Sequence, residues 1–174
     1  MPIRSKPVAL LLALLGLIGC AVLAWNAFGR QVQAPAVRYP LLDGSSLAQQ
    51  DLRGKVVLVE FWATSCTTCV GEMPKMVQTY NAFAPRGFRM VAVAMSYDKL
   101  DYVRHYASAG PQGRLPFSVA FDHDGAIAQS WGDVRLTPTS FLVDASGHIV
   151  KKFVGPPDFD QLSQLIQQLV PAAA

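Results

Sequence analysis

The run Val56-Val-Leu-Val-Glu-Phe61 is apolar at all but one position. A strand with one wet face alternates; a strand without alternation is covered on both faces. The segment therefore predicts an inner strand with helices above and below it. Its neighbours fit that arrangement. Met73, Met76, Val77, Tyr80 and Phe83 recur at helical spacing until Pro85 and Gly87 end the pattern. Residues 88–95 form a second buried strand. Residues 98–109 read as a helix ended by Gly110-Pro111, 117–122 as a strand, and 126–131 as a short helix. Two further strands, 139–144 and 148–153, flank Ala-Ser-Gly, a hairpin signal. Phe159, Leu162, Leu165, Ile166 and Leu169 mark an amphipathic C-terminal helix. Upstream, Asp43-Gly44 turns between two short extended pieces. The order is hairpin, β, α, β, α, β, short α, β-hairpin, α. It implies an α/β fold with a mixed central sheet flanked by helices on both faces.

The chain divides into a segment 1–30, a linker 31–38 and a domain 39–174. Residues 8–28 carry no charge and follow Arg4 and Lys6. As a helix they would span about 30 Å, one bilayer core, and the preceding positives favour a cytoplasmic N-terminus. The segment reads as a membrane anchor. Leu17-Ile-Gly-Cys20 offers an alternative, a lipoprotein attached at Cys20, and a cleaved signal peptide is a third reading. Each exports the domain into an oxidising compartment, where paired cysteines can exist as a disulfide. The net charge of +3 belongs to this segment, because Arg4, Lys6 and Arg30 account for it. No basic stripe marks a nucleic-acid surface.

Cys66 and Cys69 stand three apart, just past the first buried strand. A structural zinc site wants four ligands; no second pair exists, and His105, His123 and His148 are scattered. A structural staple between residues so close would gain little entropy. Redox exchange suits the position. The strand delivers the chain to a loop at its C-terminal end, where open α/β sheets place their sites. Cys66 then opens a helix, whose free N–H groups and dipole favour a thiolate. Cys69, one turn on, is placed to resolve a mixed disulfide. Glu60 is the one charged residue in its strand and should be protonated or partnered if buried; a strand-end glutamate facing water is the plain alternative.

The stretch from Val57 to Pro74, with Trp62 before the Cys66-Thr-Thr-Cys69 pair, Pro74 after it and Leu136-Thr-Pro-Thr139 downstream, resembles the thioredoxin superfamily. More narrowly, it is similar to exported, membrane-tethered thiol–disulfide oxidoreductases of the TlpA/ResA type, from about Tyr39 to the C-terminal helix. The resemblance implies a thioredoxin-like fold with an inserted helix and strand between Cys69 and Pro138. It implies a cis Thr137–Pro138 bond facing the cysteines and offering backbone groups to an extended substrate. It makes Glu60 a proton relay to Cys69 and Glu72 a group that tunes the cysteines, against the plain reading of a first-turn helix acid. Trp62 either packs beside the site or contacts substrate. No cofactor or metal is implied. The partners implied are disulfide-bearing envelope proteins, of the cytochrome c maturation or metal-site assembly kind, and a transmembrane electron donor of the DsbD/CcdA kind. The location implied is the periplasmic side of a bacterial inner membrane.

Two departures stand out: Ser65 where relatives carry a tryptophan, and Thr67-Thr68 between the cysteines. Both bear on the reduction potential and so on direction. A reductase is expected near the thioredoxin value of about −270 mV, an oxidase or isomerase near about −120 mV. A peroxidase would need PxxxTxxC, but Val59 and Ala63 occupy those positions. A Sco-type metallochaperone would need CxxxC. Trp131 reads as packing, His105 as a helix-surface residue, His123 and His148 as turn residues, and Met73 and Met76 as core. Ser96-Tyr97-Asp98 follows a strand end and falls at the rim of the site.

Overall fold

The computed structural model describes residues 32–172. The anchor segment and Cys20 lie outside them. Among the described residues no helix is long and apolar enough to cross a membrane.

Seven strands and four helices follow in the order β1 (Arg38–Pro40), β2 (Ser46–Ala48), β3 (Val56–Trp62), α1 (Thr67–Phe83), β4 (Phe88–Ala94), α2 (Leu100–Ala109), β5 (Ser118–Phe121), α3 (Ala126–Ser130), β6 (Thr139–Val143), β7 (Ile149–Val154) and α4 (Phe159–Leu169). The main sheet runs β5-β4-β3-β6-β7. β3, β4 and β5 are parallel, while β6 and β7 are antiparallel to their neighbours. β3 is central, and all seven of its residues are buried. That is why its sequence lacks alternation.

The pleat divides β3 between two cores. Val56, Leu58 and Trp62 face Cys69, Met73 and Met76 of α1, Val103 of α2, and Leu162 and Ile166 of α4. Val57, Val59 and Phe61 face Ile127, Ala128 and Trp131 around α3, together with Tyr39 of β1. Trp131 is thus a core residue, its ring 4.8 Å from that of Phe141. The β1–β2 hairpin also covers one sheet edge: Leu41 bridges Ala120, and Leu42 N–H donates to Val119 O at 3.1 Å. The opposite edge strand, β7, exposes Lys151 and Lys152, charges that discourage edge-to-edge pairing.

The linker expected over 31–38 is corrected from Val32 onward. Ile149 N–H donates to Val32 O at 2.8 Å, Ala34 N–H donates to Gly147 O at 2.9 Å, and Gln33 bridges His148. Ala34 and Val37 pack against the second core, and Arg38 already belongs to β1. The Pro-Ala composition suggested a free tether. Unsatisfied backbone groups beside the β6–β7 turn give that stretch somewhere to bind.

Phe61 is fully buried, edge-on to Trp131 at 6.3 Å and to Phe141 at 6.1 Å. Replacing it with alanine leaves a cavity under α3. The expected cost is about 3–5 kcal/mol, read from the shift in a urea unfolding midpoint.

Candidate active site

Four segments meet at one end of the sheet. β3 and β4 both end there, with Trp62 opposite Ala94. β6 begins there after Pro138, and β7 ends there at Val154. A tight turn after β3, closed by Cys66 N–H to Ala63 O at 3.1 Å, aims the chain into α1. Asp98, in the loop between β4 and α2, fixes that turn. It accepts from Thr64 N–H through Oδ2 and from the Thr64 hydroxyl through Oδ1 at 2.7 Å. Sequence reading placed Asp98 only at the rim and at a helix start. Its link to Thr64 spans 34 residues and leaves no local signal.

Cys66 is the N-cap of α1. Its backbone is extended, and its Sγ accepts from Cys69 N–H at 3.2 Å. The sulfur thus takes the place of a capping oxygen and sits at the positive end of a 17-residue helix. Cys66 and Cys69 are joined as a disulfide, with Cα atoms 5.3 Å apart. Cys66 is part-exposed, whereas Cys69 is fully buried. An incoming sulfur can reach only the first.

Beside Cys66 lies the loop before β6. The Thr137–Pro138 bond is cis. Thr137 O stands 3.6 Å from Cys66 Sγ, and Gly155 N–H donates to Pro138 O at 2.8 Å. The Tyr97 hydroxyl shares a 3.0 Å hydrogen bond with Thr137 Oγ1. Tyr97 (57% exposed) and Leu136 (65%) present large apolar surface next to the reactive sulfur. Leu136 entered the sequence reading only as the first residue of the Leu-Thr-Pro-Thr motif, with no role given to its side chain. Trp62 needs a correction as a candidate substrate contact. It is fully enclosed, its ring 5.3 Å from that of Tyr106, so it supports the site from beneath.

Glu60 of β3 and Glu72 of α1 are both buried. Glu60 follows the parity of Leu58 and Trp62 and so points toward α1. It sits opposite Ala92 on one side and Ser140 on the other. It is 0% exposed, which removes the reading of a strand-end glutamate in water. Glu72 is in the second turn of α1, too far along for a first-turn acid, and is 5% exposed. Neither carboxyl has a hydrogen-bond donor from the rest of the chain, and Ser140 Oγ and Trp62 Nε1 have no partner; the two carboxyls act on each other. Burial pushes the Glu60 carboxyl well above the usual range, and the neighbouring Glu72 adds to it. Burial also raises Glu72, while the carboxyl of Glu60 offsets part of the rise. The Tyr106 hydroxyl is raised by burial and then by the charge of Glu60. Among the described residues no group of side chains is arranged to hold a metal ion.

The family described as Redoxin matches residues 30–169. The chain belongs to the Redoxin family. It is 31% identical over 140 residues to the thiol-disulfide oxidoreductase ResA of Bacillus thuringiensis subsp. konkukian, covering 80% of this chain and 78% of that one. Among solved structures it is similar to a thioredoxin-family thiol:disulfide interchange protein from Chlorobium tepidum. That match has TM-score 0.72 and 28% identity, over 81% of this chain and 97% of the other. It is also similar to the thioredoxin domain of a thiol-disulfide oxidoreductase from Bacteroides vulgatus, with TM-score 0.68 and 27% identity, over 82% and 99%. This redoxin is a ResA-like thiol–disulfide oxidoreductase of the thioredoxin superfamily, with a thioredoxin-like fold.

The raised Glu60 carboxyl has a consequence for stability. Between the ordinary glutamate value of about 4.3 and the higher folded value, the folded chain keeps a proton that the unfolded chain has released. This contribution is present in full below about pH 4.3 and is lost as pH rises. The oxidised protein is expected to gain stability over its Glu60→Gln variant toward acid and to lose ground to it toward alkali. Urea midpoints of both proteins across pH check this; parallel profiles would contradict it.

Proposed function

We propose that this redoxin is an exported reductase of protein disulfides, held at a membrane by residues 1–30 with its catalytic domain on the periplasmic side. The observation that carries the reading is the position of Cys66 Sγ. It is the accessible half of the disulfide, it caps a helix N-terminus, and it lies beside the Thr137 carbonyl. In the reduced enzyme the Cys66 thiolate attacks a substrate disulfide. One substrate sulfur leaves with the bonding electrons, and the other is held to Cys66. The segment carrying it pairs with backbone groups of Thr137, beside Pro138. Cys69 then gives up its proton, relayed through Glu60, and attacks Cys66 Sγ. The second substrate sulfur leaves, and the Cys66–Cys69 disulfide closes. Glu72 biases the cysteines through its charge. A donor dithiol, supplied across the membrane by a DsbD/CcdA-type protein, returns two electrons to the pair. Substrates are envelope proteins with a disulfide to be opened, such as apocytochromes c or metal-site assembly proteins. The names of the relatives support the chemistry; export, donor and substrate rest on the N-terminal sequence and the family resemblance.

The Cys69→Ala variant tests the chemistry, as the reduction potential tests the direction. Its lone Cys66 can attack a substrate disulfide but lacks the partner that would release the product. Expressed at full length in its own envelope, it is expected to accumulate mixed disulfides that a reductant releases and that Cys66→Ser abolishes. If no such species forms, the reductase reading fails.

A further inference from the structure

Glu60 and Glu72 are the only two glutamates in the whole chain. The fold buries both and sets them against each other, Glu60 on β3 and Glu72 on α1 three residues past Cys69. No lysine, arginine or histidine is buried among the described residues. The other polar side chains of the cluster are neutral: Ser140 of β6 and Trp62 of β3, with Tyr106 of α2 above them. β4 presents Ala92 and α4 presents Leu162 and Ile166 to the same core. Two buried carboxylates with no cation between them cannot both stay ionised.

From this juxtaposition we infer that Glu60 and Glu72 form one proton-sharing acid pair, which holds a single proton at neutral pH and takes up a second from Cys69 during turnover. Glu60, the more enclosed member, keeps the proton. Glu72, the less enclosed member, carries the charge. During resolution the Cys69 thiol proton moves to the pair, which becomes neutral. The freed electron pair on Cys69 forms the bond to Cys66 Sγ, and the substrate sulfur departs as a thiolate. The pair then releases one proton to water, and the substrate thiolate takes one up. The buried charge thus passes from carboxylate to sulfur and leaves with the product, so the core never holds two charges. This transfer step rests on the exchange chemistry proposed above; the sharing of the proton does not.

The composition makes the test direct. Protein labelled with carbon-13 at the glutamate carboxyl should give two carboxyl signals by NMR. In the oxidised protein these are expected to titrate in two well-separated steps, the upper one well above the ordinary glutamate range, as belongs to a coupled pair. Glu72→Gln should bring the remaining step down by at least about one pH unit, because the like charge is gone. Glu60→Gln should leave the lower step nearly in place, because the neighbour it loses was already neutral. Two carboxylates both ionised near neutrality, two acids both protonated throughout, or an upper step indifferent to Glu72→Gln would each overturn the pair, and the wild-type spectrum alone can do so if a variant does not fold. The expected two-step titration in a protein that traps no substrate would instead count against the reductase reading and leave the pair standing.

Discussion

The hydrogen bond from Cys69 N–H to Cys66 Sγ is the contact on which the site depends. It makes a sulfur the cap of α1. A charge at a helix N-terminus gains about 0.3–1 kcal/mol at the surface and up to about 2 in partly buried settings. Since one pH unit of thiol ionisation is worth about 1.4 kcal/mol, the cap by itself can move a thiol by about one unit. The same geometry separates the two cysteines. One turn along the helix takes the chain from a part-exposed position to a fully buried one. The first sulfur is therefore the nucleophile, and the second waits beneath it. The sheet makes this possible by fixing where α1 starts. β3 ends level with β4, and Asp98, in the loop between β4 and α2, holds the turn through Thr64.

Much of this architecture was legible in the sequence. The unbroken apolar run of β3 announced a central strand, and the cysteine spacing on a helix start announced the chemistry. The hairpin signals at Asp43-Gly44 and Ala145-Ser-Gly147 marked the two antiparallel elements. These are local patterns, written within one or two elements. What could not be read depended on contacts between distant segments. The packing of residues 32–37 against the β6–β7 turn, the Asp98–Thr64 link and the Tyr97–Thr137 hydrogen bond all join parts far apart in the chain. Trp62 shows the same limit. Its place beside the cysteines was evident, but whether its ring faced substrate or core depended on Tyr106, more than forty residues away.

The buried glutamates show where folding and function pull apart. An apolar pair at positions 60 and 72 would suit the core better, since neither carboxyl has a hydrogen-bond donor from the rest of the chain. The proton transfer proposed above gives this costly burial a use. On that proposal the helix dipole serves the exposed sulfur and the acid pair serves the buried one.

The central claim is that position in the first turn of α1 makes Cys66 the reactive sulfur. It is tested by alkylating the fully reduced protein with iodoacetamide at a series of pH values and locating the label by mass spectrometry. The account expects Cys66 to react with a midpoint well below the ordinary thiol value of about 8.5, and Cys69 to stay unlabelled until the protein unfolds. Equal labelling of both cysteines, or a Cys66 midpoint at that ordinary value, would contradict it.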